Sequence, residues 1–110
     1  MAKQLEREYV LVAQLSEFEG VASLVREVED RYVVLIKSGE QVYCIDDVCT
    51  HDGGTLSDGE IQGNCIVCPR HGAKFDYRSG KVMTMPATVP TASHEVSVRG
   101  DEVYVKLNDY

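Results

Sequence analysis

The chain has 110 residues, 44% of them hydrophobic, and its 11 basic and 18 acidic side chains give a formal charge of −7. That length suits one domain with a real core. The acidic balance excludes a nucleic-acid binder, which needs a basic face for phosphates, and fits solubility or long-range steering toward basic partners. No stretch is long and apolar enough to span a bilayer, and Met1 to Arg7 carries no apolar run of the secretory kind. The expectation is a soluble cytoplasmic protein without membrane attachment.

Taken in order, residues 8–13 (E-Y-V-L-V-A) read as a first strand and residues 14–20 as a polar connection. Residues 21–28 form a second strand, closed by a tight turn at Glu29-Asp30. Arg31 to Lys37 (R-Y-V-V-L-I-K) is β-branched and apolar, a core strand. Ser38-Gly39-Glu40 turns it into a hairpin with Gln41 to Asp46. Asp58-Gly59 is a strong turn signal, and short strands follow at 61–62, 65–68 and 74–77. Thr84 to Pro90 holds two prolines and cannot be a central strand. Ser93 to Arg99 and Glu102 to Leu107 alternate around Gly100-Asp101 and close the chain as a hairpin. No segment shows helical periodicity with caps, so the class is all-β, a sandwich or small barrel.

Between the fourth strand and the strand at 74–77 lies the stretch that carries chemistry, Cys49 to His71. Cys49 and His51 stand two apart, Cys68 and His71 three apart, and sixteen residues separate His51 from Cys68. Two thiolates and two imidazoles offered by two loops form a metal site by ligand type alone. One zinc ion in tetrahedral geometry could use such a set, although zinc fingers usually place both cysteines before both histidines. The Cys-His, Cys-His order better suits a two-iron cluster with both cysteines on one iron and both histidines on the other. Gly53, Gly54 and Gly72 follow the ligand pairs and would let backbone N–H groups approach bridging sulfides. Of the four cysteines, Cys44 and Cys65 remain outside the motif, in apolar strand-like runs, and read as buried reduced thiols.

Cys49-Thr50-His51, the gap, and Cys68-Pro69-Arg70-His71-Gly72 resemble the Rieske [2Fe–2S] motif. The resemblance implies one [2Fe–2S] cluster with Cys49, His51, Cys68 and His71 as its ligands. It also implies a Rieske-type antiparallel β-sandwich or small barrel, with a base of residues 1–46 and 81–110 and an inserted cluster-binding subdomain at 47–80, all one domain. Quinol-oxidising members carry an extra cysteine in each ligand loop, and a serine and a tyrosine after the second histidine. The matching positions here are Gly54, Arg70, Ala73 and Phe75. Three devices that raise the potential are therefore missing together, which implies a low potential of roughly −150 mV.

In length and in its C-P-x-H-G-x-x-F-D run, Cys68 to Asp76, the chain resembles the soluble Rieske ferredoxins of ring-hydroxylating oxygenase systems. That resemblance implies a monomeric electron carrier, not itself an enzyme. Its partners would be an NAD(P)H-dependent flavin reductase and a terminal oxygenase. The oxygenase's own catalytic chain would need a second, large iron-binding domain for which 110 residues leave no room. The competing readings are the Rieske-like small subunit of an assimilatory nitrite reductase, which often lacks ligands that are intact here, and a partner in redox or iron–sulfur assembly. The resemblance also implies that the histidine-bound iron lies nearest the surface, at a tip where Arg70 meets partners and where the segment of Pro86 and Pro90 forms a third covering loop. His94, in an alternating strand, reads as a surface histidine, and Met83 and Met85 as packing groups.

Overall fold

The computed structural model describes residues 9–48, 54–69, 72–84 and 91–108. Among these residues nine strands run in the order β1 (Val10–Gln14), β2 (Ser23–Val28), β3 (Arg31–Ser38), β4 (Gln41–Asp46), β5 (Ile61–Gln62), β6 (Cys65–Val67), β7 (Lys74–Asp76), β8 (Ser93–Arg99) and β9 (Glu102–Lys106). Six of them form one antiparallel sheet in the order β1-β9-β8-β4-β3-β2, and β5-β6-β7 form a second of three strands. The large sheet curls until its two edges meet. There, Arg26 on β2 donates from Nε to the Val12 carbonyl on β1 at 2.9 Å. A charged side chain thus satisfies an edge that would otherwise be open to pairing.

The turns follow their residues. Glu29 and Asp30 both take positive φ, 51° and 69°, the signature of a tight two-residue hairpin, and the β2–β3 register runs without a break up to Val28 opposite Arg31. Gly39 supplies φ 62° in the β3–β4 hairpin. The connection after β1 is more ordered than a polar linker. Leu15–Phe18 is a single 3-10 turn that buries Phe18, held at its start by the Glu17 carboxylate accepting from the Gln14 N–H at 2.7 Å. Four residues are too few to leave a periodic pattern in the sequence.

The β3 run V-V-L-I lacks alternation because both of its faces are covered. Val33 and Leu35 pack with Val42, Cys44, Val103 and Val105 inside the barrel. Val34 and Ile36 pack outside it, with Ile45, Leu56, Ile66, Phe75 and Tyr77, where the three-stranded sheet covers the wall. Tyr43 and Tyr77 meet across this second core at 5.5 Å between ring centres. Burial on two faces is what a continuous apolar strand predicts. The three-stranded sheet lies between β4 and β8 in sequence, so this outer core ties an inserted unit to the barrel. Met83, expected to pack, is 51% exposed instead, and Met85 lies outside the described residues.

Candidate metal centre

The first candidate ligand loop leaves the barrel at the end of β4. Asp46 donates its N–H to the Ala92 carbonyl at 2.8 Å, and Asp47 donates to that of Tyr32 at 2.9 Å. Thr91 donates its hydroxyl to the Val48 carbonyl at 3.2 Å. On the far side of the loop, the Gly59 N–H meets the Leu56 carbonyl at 2.9 Å, and the Val67 N–H reaches Glu60 at 2.9 Å. The base of the first loop therefore lies against β6, and β6 runs directly into the second loop. Asp58-Gly59 is a turn, as expected, but Gly59 is needed for a second reason. A β-carbon there would stand 1.8 Å from the Val67 carbonyl oxygen.

The second loop is closed at its neck. The Cys68 N–H donates to Ala73 at 2.7 Å, and the Gly72 N–H donates to Cys68 at 3.0 Å, with Gly72 at φ 78°. Cys68 is 1% exposed and its thiol is free. It packs in the outer core beside Ala73 and Phe75, both fully buried. The other candidate ligands, Cys49, His51 and His71, lie outside the described residues, as do Gly53, Arg70, Pro86 and Pro90. The third connection has described ends. Lys74 donates its N–H to the Thr84 hydroxyl at 2.9 Å, and Thr91 donates its N–H to Gly80 at 2.9 Å.

The remaining cysteines separate cleanly from Cys68. Cys44 is buried inside the barrel, in the other core. Burial, with the Asp46 charge nearby, pushes its thiol far above the usual range, which makes it inert as a ligand. Cys65 is half-buried on β6 and also reduced. Among the described residues no group of three or more His, Cys, Asp or Glu side chains could hold a metal. These residues thus offer no rival site. Cys68, a buried thiol at the neck of a glycine-containing loop, fits the cysteine side of a cluster with a two-thiolate, two-imidazole donor set.

His94 is not at the surface. Its side chain is 0% exposed, with Nε2 2.7 Å from Asp46 Oδ1. The Asn108 N–H donates to Nδ1 at 3.0 Å, so the hydrogen sits on Nε2 and is donated to Asp46. Arg31 grips the same carboxylate at 3.0 and 2.8 Å. The alternation of β8 was legible; its direction was the error. His94 shares the face of Val96, which packs against the barrel core, and pairs with buried Cys44 across the sheet.

Burial pushes the Asp46 carboxyl up, but the hydrogen bonds from His94 and Arg31 outweigh it and hold it below the usual carboxylate range. A folded-state value below the unfolded one contributes stability that is complete above about pH 4 and is lost as pH falls through the folded value. Asp46→Asn should cost about 1–3 kcal/mol at neutral pH and flatten the acid limb of a stability profile. Urea unfolding between about pH 7 and pH 3 reads both. An unchanged acid limb would leave the slope to Asp76, which its Arg78 partner likewise holds low.

A family model described as the Rieske [2Fe-2S] domain matches residues 8–99. The chain is 37% identical over 86 residues to a protein named ferredoxin CarAc from Metapseudomonas resinovorans, covering 78% of this chain and 80% of that one. Its fold matches the ferredoxin of carbazole 1,9a-dioxygenase from Nocardioides aromaticivorans IC177 with a TM-score of 0.86 at 28% identity, over 91% of this chain and 98% of the other. A second match, TM-score 0.81 at 32% identity over 89% and 92% of the two chains, comes from a complex of reduced oxygenase and oxidized ferredoxin in carbazole 1,9a-dioxygenase. Among the described residues no helix is long and apolar enough to cross a membrane.

Proposed function

Because the chain belongs to the Rieske [2Fe–2S] family, we propose that Cys49, His51, Cys68 and His71 hold one such cluster and that the protein is an electron carrier rather than an enzyme. It accepts electrons from an NAD(P)H-dependent flavin reductase and delivers them to the terminal oxygenase of a dioxygenase system, as a cytoplasmic monomer. The observation that carries this reading is the match to ferredoxins of carbazole dioxygenase systems along nearly their whole length. The bound cluster takes up and releases one electron at a time. The protein's part is to hold the four ligands, shield the thiolate side and offer a face to partners. In this reading the single domain divides into a base, 1–46 and 81–110, and a cluster-binding subdomain, 47–80.

Shielding falls to the outer core. Ala73 and Phe75 are fully buried in the same core cluster as Cys68 and present no hydroxyl, so neither side chain can donate to a cluster sulfur. Fewer donors to sulfur mean less stabilisation of the reduced state and a lower potential. Ala73→Ser with Phe75→Tyr should raise the midpoint potential, read by a spectroscopic redox titration with the visible spectrum as control for an intact cluster. No upward shift would refute the hydrogen-bond argument.

Docking falls to the loops. Val48, next to Cys49, is 41% exposed and borders a groove of about 540 Å³ lined also by Val25 and Tyr32. A small, partly apolar contact suits a redox encounter that must dissociate quickly, and the formal charge of −7 supplies steering that salt screens within about 10 Å at about 0.1 M. Stopped-flow reduction by the flavin reductase, followed by anaerobic mixing with oxidised oxygenase, tests the proposal. The carrier should be reduced and then reoxidised in step with the oxygenase. Failure of both half-reactions with an intact cluster would end this reading. Arg70→Glu at the ligand loop should alter the transfer rates more than Lys106→Glu on β9, and added salt should slow reduction by a basic partner. Equal effects from the two substitutions would move the docking face away from the loops.

A further inference from the structure

Asp47 stands at the neck of the first ligand loop and is only 5% exposed. A buried carboxylate is costly unless it is well bonded. Both its oxygens are used. Oδ1 accepts the backbone N–H groups of Leu56 at 2.8 Å and Ser57 at 2.7 Å, and Oδ2 accepts the Ser57 hydroxyl at 2.8 Å. All three donors come from the two residues at which the chain returns from the loop. The carboxylate therefore ties the chain before the ligand pair directly to the chain after it. The backbone on the Asp47 side is fixed as well, through the Asp47 N–H to Tyr32 at 2.9 Å and the Val48 carbonyl to Thr91 at 3.2 Å. On the return side, the Gly59 N–H to Leu56 at 2.9 Å ties the clasped turn into the segment packed on β6.

We propose that Asp47 is a positioning residue for the cluster, holding the loop that carries Cys49 and His51 in a geometry able to bind it. The inference rests on the reading that those two residues are ligands. A loop ordered beforehand does not draw on the cluster's binding energy to become ordered, so the bound cluster is retained longer. Partners one step removed from metal ligands commonly alter metal retention by about 10–100-fold when removed.

The test uses the cluster-loaded protein and reads the rate of cluster loss to an excess iron chelator, together with the visible circular dichroism of the cluster and the urea unfolding midpoint. Asp47→Ala should release its cluster at least about tenfold faster than wild type and shift the dichroism. Asp47→Asn, whose amide oxygen can still accept both N–H groups, should recover most of that loss. Ser57→Ala, which removes only the Oδ2 contact, should release its cluster at a rate between those of wild type and Asp47→Ala, and a rate no faster than wild type overturns the proposal if Asp47→Ala does not fold. Asp76→Ala is the structural control, since Asp76 is also buried and bonds the Arg78 N–H at 2.8 Å, within the turn that follows β7. Faster release from Asp47→Ala than from Asp76→Ala at a matched unfolding midpoint supports the proposal. Release that follows the unfolding midpoint alike in both, or an unchanged rate in Asp47→Asn and Asp47→Ala, overturns it. Failure of the underlying reading looks different, since wild type itself would then load no iron–sulfur cluster.

Discussion

Cys68→Ser should yield a colourless protein, whereas wild type should contain about two irons and two acid-labile sulfides per chain. The thiol at this position is 1% exposed and packed in the core between barrel and three-stranded sheet, so a serine hydroxyl there neither holds iron nor suits its surroundings. Cys49→Ser should behave alike. Because cluster binding is linked to folding, the variants should also melt earlier. A loss of only ~2 kcal/mol lowers Tm by roughly 10 °C in a domain of this size. Cys44→Ala should keep the cluster, since Cys44 lies in the other core, at a cost of about 1 kcal/mol from the cavity. Cys65→Ala should keep it as well. Iron and sulfide assays with a visible spectrum decide the matter. Colour lost from Cys44→Ala or Cys65→Ala would mean that the wrong cysteines were assigned, and wild type with one zinc and no sulfide would end the cluster reading.

The second large effect concerns two glycines outside the ligand pairs. At Gly59 a β-carbon would meet the Val67 carbonyl oxygen at 1.8 Å and its carbon at 2.9 Å. At Gly80 it would meet the Thr91 oxygen at 2.0 Å, with φ 80° as a further obstacle. Both obstacles are backbone and cannot swing aside. Accommodating alanine means breaking the Val67 bond to Glu60 in one case and the Thr91 bond to Gly80 in the other. Each substitution should cost about 3 kcal/mol or more. Gly100→Ala, at φ 64° with open space around it, should cost only about 1–2 kcal/mol. Denaturant unfolding of the three variants makes the comparison. Gly59→Ala should also lower cluster content, because it pushes β6, and with it Cys68, away from the first loop. Equal costs at Gly59 and Gly100 would contradict the close approach.

The local readings that held are those with a local cause. Glu29-Asp30 and Ser38-Gly39-Glu40 were legible as turns because hairpin geometry demands residues that tolerate positive φ. Gln41 to Asp46 was legible to its bounds, being flanked by a glycine turn and a loop. The low-lying readings that failed depended on what lies opposite. Alternation in β8 divides its residues into two faces but does not say which one turns inward. Valine at 96 and 98 pointed to the face of His94, and that signal outweighs the usual exposure of histidine.

By itself, the sequence determined the class of the fold, the nine short strands within a residue or two, and the family, because turn chemistry, β-branched runs and the spacing of Cys49, His51, Cys68 and His71 are all written in near neighbours. Only the tertiary structure decided that β3 is covered on both sides, that Gly59 and Gly80 must lack a side chain, that His94 and Arg31 share the Asp46 carboxylate, and that Asp47 clasps the first loop. Each of these joins segments well apart in the chain. A carboxylate before a cysteine carries no mark of the N–H groups it will meet nine and ten residues later, since that meeting depends on how the three-stranded sheet packs on the barrel.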